Sequence, residues 1–136
     1  YSKAKYFSEI YPKIEIIYYA DHIRMIDFNM AIINLALDYF EINVNMSYAS
    51  EWAIATSSSQ RLVDLVMAVG ADVYLTGQGS KDYLDEQLFS NKGISVLWQE
   101  FKHPTYSQLH GEFEPMLSCL DILFNCGRES AKILRS

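Results

Sequence analysis

The sequence predicts an α/β protein, a small three-layer, Rossmann-like core built on a parallel sheet and followed by a helical tail. Three observations carry this. Strand-like and helical segments alternate between Ile42 and Trp98 at intervals of about 20–25 residues, the pattern of βαβ units. Gly70 and Gly93 stand where the two intervening helices should stop. Beyond Phe101 the alternation gives way to a polar loop and then to two short apolar stripes of helical period. A chain of 136 residues suits one domain, taken here as residues 1–136, and 50% hydrophobic against 21% charged residues is enough for a buried core.

From Lys3 to Tyr19, Phe7, Ile10, Ile14 and Ile17 recur at helical spacing, with Pro12 predicting either a kink or two short helices. Asp27 reads as the N-cap of a second helix whose stripe is Phe28, Ile32, Leu35, Ala36 and Tyr39, ending near Phe40. Ile42, Val44, Met46 and Tyr48 alternate with polar residues, which predicts a first strand. Thr56 to Ser59 offer N-caps to a helix carrying Leu62, Leu65, Val66 and Val69 up to Gly70. Val73 to Leu75 predicts a second strand, Tyr83 to Phe89 a helix ending at Gly93, and Ile94 to Trp98 a third strand. In the tail, Met116 to Phe124 and Ser130 to Leu134 read as short helices.

Composition excludes several classes. A net charge of −6 with no basic stripe argues against nucleic acid as a partner. The longest apolar run, Met30 to Leu37 around Asn34, falls short of the roughly 20 residues of a membrane span. Cys119 and Cys126 have neither redox-motif nor zinc-ribbon spacing, and two cysteines without a recognisable leader fit a reduced, cytoplasmic setting. Cys119 is expected inside an apolar stripe with Met116, Leu120 and Leu123, where a thiol is inert. His22, beside Asp21, reads as a surface or capping residue.

Two segments concentrate chemistry. Gly77-Gln78-Gly79-Ser80-Lys81-Asp82-Tyr83 follows a strand and precedes a helix, the end of an open α/β sheet where ligands bind. The glycines would admit a ligand to the backbone, although the segment matches neither a P-loop nor a dinucleotide fingerprint, and a tight turn with a helix start explains it equally well. Asp82 is expected in the first helical turn. The second segment, His103 to Phe113, gathers His103, Tyr106, Gln108, His110 and Glu112. If it is extended, its period of two puts Tyr106, Gln108, His110 and Glu112 on one face. Such a face could place a polar substrate and move a proton at His110 or His103; a loop satisfying its own backbone is the alternative. No metal site is expected, since His110-Gly111-Glu112 lacks the cysteine partners of a zinc deaminase, and the residues name no cofactor.

Val73 to Asp85 resembles the YLSGxGxxDYLD stretch of the WbqC-like protein family. His103 to Ser118, with Asp121 to Asn125, is similar to that family's HPxYxQxHGxFxPxLSxxDLLFN signature. The resemblance is assigned to the C-terminal two-thirds of the chain, and because Tyr1 to Glu15 also resembles the family's YxKAPYFxExYPxL segment, the likeness extends over essentially the whole chain. The chain lacks the HQPxYxPWLGxxxK segment with which family members open, so the resemblance implies a further N-terminal segment before Tyr1. Ser80 and Lys81 stand where the family more often has Gly and Arg, and Lys does not offer the bidentate recognition of a guanidinium.

The resemblance implies a role in bacterial O-antigen or other surface-polysaccharide biosynthesis. Combined with the residues, it leads to a transferase-like enzyme that moves glycine, an acyl group or a similar small group onto a nucleotide- or lipid-linked sugar. In that reading His110, His103, Glu112 and Asp82 are catalytic, and Gly77, Gln78, Gly79, Ser80, Lys81, Tyr83, Tyr106 and Gln108 bind a small-molecule substrate such as a nucleotide sugar. The alternative is a non-catalytic sugar- or protein-binding module of a polysaccharide assembly complex.

Overall fold

The computed structural model describes residues 1–136, in the order α1 (Phe7–Tyr19), α2 (Met25–Tyr39), α3 (Ser58–Ala68), β1 (Val73–Thr76), α4 (Glu86–Ser90), β2 (Ser95–Trp98), α5 (Cys119–Cys126) and α6 (Ser130–Leu134). The chain divides into two compact units. One comprises Tyr1–Val44 with His103–Ser136, and the other Asn45–Lys102.

The first unit is helical. α1 is a single helix that runs through Pro12. Pro12 is exposed, as is Ser8, whose carbonyl loses its partner to the ring, so water can satisfy that group. α2 is capped by Arg24 rather than Asp27; Asp27 sits in the first turn, where its carboxylate accepts from the Arg24 guanidinium at 2.8 Å. The stripe expected on α2 does face inward, with Tyr39 fully buried among Ile10, Phe40, Ile122, Leu123 and Phe124. The buried Tyr39 phenol donates to Glu9 at 2.7 Å and accepts from Lys13 at 2.9 Å, so its burial leaves no polar atom unpaired. Arg135 donates to the Phe40 and Glu41 carbonyls at 2.9 and 2.8 Å, closing the C-terminal end of α2. His22 does the same for α1, its ring nitrogen lying 2.7 Å from the Ile17 carbonyl.

The second unit is a single βαβ turn with α3 packed beside α4. β1 and β2 pair in parallel, with Val73 opposite Ser95 and Thr76 opposite Trp98. Tyr74 and Val96 pack on the core of Val63, Val66, Phe89 and Ile94. The opposite face is open, with Leu75 and Leu97 exposed by 62% and 53%. The sheet therefore has two strands and one covered face, not the three-layer core expected from the alternation.

The missing strand is Ile42 to Tyr48. Its alternation is real, but no strand pairs with it: Ile42 N–H donates to the Leu37 carbonyl at 2.9 Å and Tyr48 N–H to the Glu51 carboxylate at 3.0 Å, and Val44, Met46 and Tyr48 are all exposed. Period-two patterning makes a strand only where a neighbour takes up the hydrogen bonds and one face is buried. Elsewhere the punctuation works as expected. α3 and α4 both end through a left-handed glycine, Gly70 and Gly93, with Ala71 and Ile94 donating back to Val66 and Phe89 at 3.0 Å.

The helix expected over Tyr83 to Gly93 shortens to five residues, capped by Asp85, whose carboxylate accepts from Gln87 N–H at 3.1 Å. Asp82 and Tyr83 lie before it in a turn, so Asp82 occupies no helical turn. α5 begins at Cys119 under a Ser118 cap, later than expected, which leaves Met116 and Cys119 exposed rather than within an apolar stripe.

Candidate functional site

In the first unit the loop from His103 to Ser118 is organised by a residue that the sequence reading did not single out. Asp121, in the first turn of α5, is only 4% exposed. One carboxylate oxygen accepts from the Tyr106 phenol at 2.8 Å and from Gln108 Nε2 at 3.0 Å, and the other from Asn125 Nδ2 at 3.2 Å. A hydrogen bond to the same carboxylate raises the pKa of the Tyr1 phenol. A buried carboxylate is stable only when its lone pairs are filled, and these donors fill them.

Gln108 acts as a clasp. Besides Asp121, its amide donates to the Glu114 carbonyl at 2.9 Å and accepts from Glu114 N–H at 2.8 Å. This pairs one side chain with the backbone six residues on and closes the loop that carries His110. Tyr106 is 9% exposed, and burial, followed by its bond to Asp121, pushes its phenol up to about 12. Tyr106 and Gln108, expected to touch substrate, thus spend their polar atoms on the loop itself. His103 is half-buried, its ring 6.1 Å from that of Tyr106 and 5.7 Å from that of Phe113, with Nδ1 at 2.9 Å from the Pro104 carbonyl.

His110 is different. It is exposed and lines a cleft of about 230 Å³ with Tyr1, Gln108, Leu109, Glu114, Leu117 and Asp121. Glu112 is exposed outside that lining and makes no hydrogen bond to His110, because residues 109 to 112 bend and Gly111 takes a positive φ of 64°. The extended face expected for Tyr106, Gln108, His110 and Glu112 therefore ends at the bend, and the acidic residues in the cleft lining are Glu114 and Asp121. No group of three His, Cys, Asp or Glu side chains is placed to hold a metal ion.

In the second unit, the Gly77 to Tyr83 loop leaves the C-terminal end of β1. Thr76 Oγ1 donates to Ser80 Oγ at 3.1 Å, and Ser80 Oγ lies 3.0 Å from the Tyr83 hydroxyl, so three hydroxyls form one chain. Gln78 donates to the Gln99 carbonyl at 3.0 Å, tying the loop to the end of β2. Lys81 Nζ stands 5.6 Å from the centre of the Trp98 ring. Asp82 is exposed. Gly77 and Gly79 both have ordinary φ, and a Cβ on either would meet nothing within 4 Å. Neither glycine is demanded by backbone strain or by packing, and both leave the main chain bare.

Asp121 and Trp98 had signals in the sequence. Asp121 stands three residues after a Ser in the capping pattern, with a carboxylate at the start of an apolar run, and Trp98 ends a strand opposite the loop. What separates a structural carboxylate from a solvated one is burial, which spacing does not reveal.

Comparison with known proteins places both loops inside one family match. The chain is 32% identical over 137 residues to Rv1507c of Mycobacterium tuberculosis, named only as an uncharacterised protein, and spans 59% of that relative's length. No solved structure matches the chain. The WbqC-like protein family model matches residues 1–133, longer than the C-terminal two-thirds and in keeping with the likeness seen also at Tyr1 to Glu15. With both loops and the helices that hold them inside that match, the chain belongs to the WbqC-like protein family.

Proposed function

We propose that the protein is a transferase that places a small group, such as an aminoacyl or acyl group, on a nucleotide- or lipid-linked sugar in surface-polysaccharide biosynthesis. The observation that carries this reading is the division of labour in the His103 to Asp121 segment. Tyr106, Gln108 and Asp121 bond to one another, while His110 is left open on the cleft with Glu114. A preorganised loop presenting one free imidazole is what general-base catalysis requires. His110 takes the proton of the sugar hydroxyl or amine as that atom bonds to the incoming group, and the donor's leaving group departs with its electron pair.

Tyr106 and Gln108 act as positioning residues, and His103 stiffens the loop from its aromatic neighbours. The second unit, taken by itself, carries a binding loop of its own: Lys81 pairs with the negative charge of a bound ligand, the main chain from Gly77 to Ser80 approaches it closely, and Asp82 and Tyr83 offer groups for its hydroxyls. No span-length apolar helix occurs in the chain, which fits a substrate met outside the bilayer core.

The test is a thermal-shift screen of nucleotide sugars, sugar phosphates and aminoacyl or acyl donors. A ligand at 100 times its dissociation constant should stabilise the fold by roughly 2.7 kcal/mol. His110→Ala should then abolish turnover with the melting point nearly unchanged. A screen with no shift, or a His110→Ala protein that melts early, would remove this reading.

A further inference from the structure

Resting on the ligand-binding role given above to the Gly77 to Tyr83 loop, we infer that Trp98 is its ring platform and that Lys81 is a displaceable cover on it. The ligand class is then a phosphate ester carrying a flat ring, with a nucleoside diphosphate as the simplest member. Four observations converge at the C-terminal ends of the two parallel strands. Trp98 is the last residue of β2 and is partly buried, held opposite Thr76 by the strand register. Lys81, exposed, holds its ammonium 5.6 Å from the centre of that ring. The hydroxyls of Thr76, Ser80 and Tyr83 are linked along the same loop. The backbone at Gly77 and Gly79 is open, with nothing in the fold filling the space a Cβ would take.

The physical logic is an exchange of partners. An ammonium over an indole in a wet site gains less than it gains from a charge-assisted hydrogen bond to phosphate. A phosphate entering beside the bare backbone therefore draws Lys81 off the ring. The uncovered indole face is then free to stack on a flat ring of the same ligand, a contact every base can make through its π face. A phosphate alone takes the first gain, and an uncharged nucleoside must displace Lys81 from the ring without that compensation, so a molecule with both parts binds more tightly than either.

The chain has two tryptophans, Trp52 and Trp98, so a Trp52→Phe protein reports Trp98 alone. Fluorescence titrations with uridine diphosphate, inorganic pyrophosphate and uridine test the exchange, with the parent protein and a Trp98→Phe protein run in parallel in case Trp52→Phe folds poorly. Uridine diphosphate should quench Trp98 saturably and bind at least tenfold more tightly than pyrophosphate or uridine. Lys81→Met, which keeps an unbranched side chain and removes the charge, should weaken uridine diphosphate at least tenfold and leave uridine binding no weaker. A melting-point rise with uridine diphosphate while Trp98 stays silent would overturn the platform and leave the ligand-binding role of the loop standing. Equal affinities for uridine and uridine diphosphate, or a Lys81→Met protein that binds as the parent does, would overturn the exchange. No shift and no quench with any of the three would remove both the exchange and the binding role of the loop.

Discussion

Replacing Tyr106 by Phe isolates the contact that organises the His110 loop. The phenol is buried and donates to Asp121 at 2.8 Å, and its pKa rises from 10.0 to about 12. That displacement is a preference for the protonated phenol in the folded state on the order of 3 kcal/mol. Because the folded pKa is the higher one, the contribution is complete below pH 10, where the unfolded phenol is also protonated. It is lost as pH climbs from 10 towards 12, at about 1.4 kcal/mol per pH unit. At neutral pH, Tyr106→Phe should cost about 1.5–3 kcal/mol, the worth of a hydrogen bond to a charged acceptor. The assay is urea unfolding of both proteins at pH 8, 9, 10 and 11. The stability gap should be constant up to about pH 9.5 and should narrow by about 1.4 kcal/mol at pH 11, as the other tyrosines are common to both proteins. A gap that stays flat from pH 8 to 11 would refute the claim that Asp121 holds a buried, protonated Tyr106.

Two glycines should respond in opposite ways to alanine. Gly127 has φ +56° and a Cβ there would lie 2.6 Å from the Tyr6 ring, so Gly127→Ala should cost about 2–4 kcal/mol in thermal or urea unfolding. Gly79→Ala, with ordinary φ and open space, should leave stability unchanged or raise it by about 0.4–1 kcal/mol, while binding of the loop's ligand falls. Asp82 caps no helix, so Asp82→Asn should change the melting point very little, by an equivalent of less than about 0.5 kcal/mol, and a tenfold loss of ligand affinity in that variant would mark a direct contact. Thiol titration at pH 8 should show one fast and one slow cysteine. Cys119 is exposed, whereas burial and then the Asp121 charge raise the pKa of Cys126, so Cys119→Ser should remove the fast phase.

Sequence pattern alone determined the elements whose signals are local. The Phe28 to Tyr39 stripe, the glycine stops at Gly70 and Gly93, and the β-prone runs Val73 to Leu75 and Ile94 to Trp98 each depend on neighbours within a few residues, and each is present in the structure. The family was legible for a related reason, since its motifs are contiguous runs of residue types. Tertiary structure decided whatever depends on a partner distant in sequence. Ile42 to Tyr48 has the period of a strand and no neighbour to pair with. Asp121 becomes the hub of the His110 loop only because α5 folds it beneath Tyr106 and Gln108, residues 15 and 13 positions earlier. Gln108 and Glu112 fit the same alternation on paper, yet one clasps the loop and the other points outside the cleft lining, because the chain bends at Gly111. Periodicity says which side chains could share a face. Burial and hydrogen bonding, which are properties of the folded chain, decide which of them hold the scaffold and which remain free for chemistry.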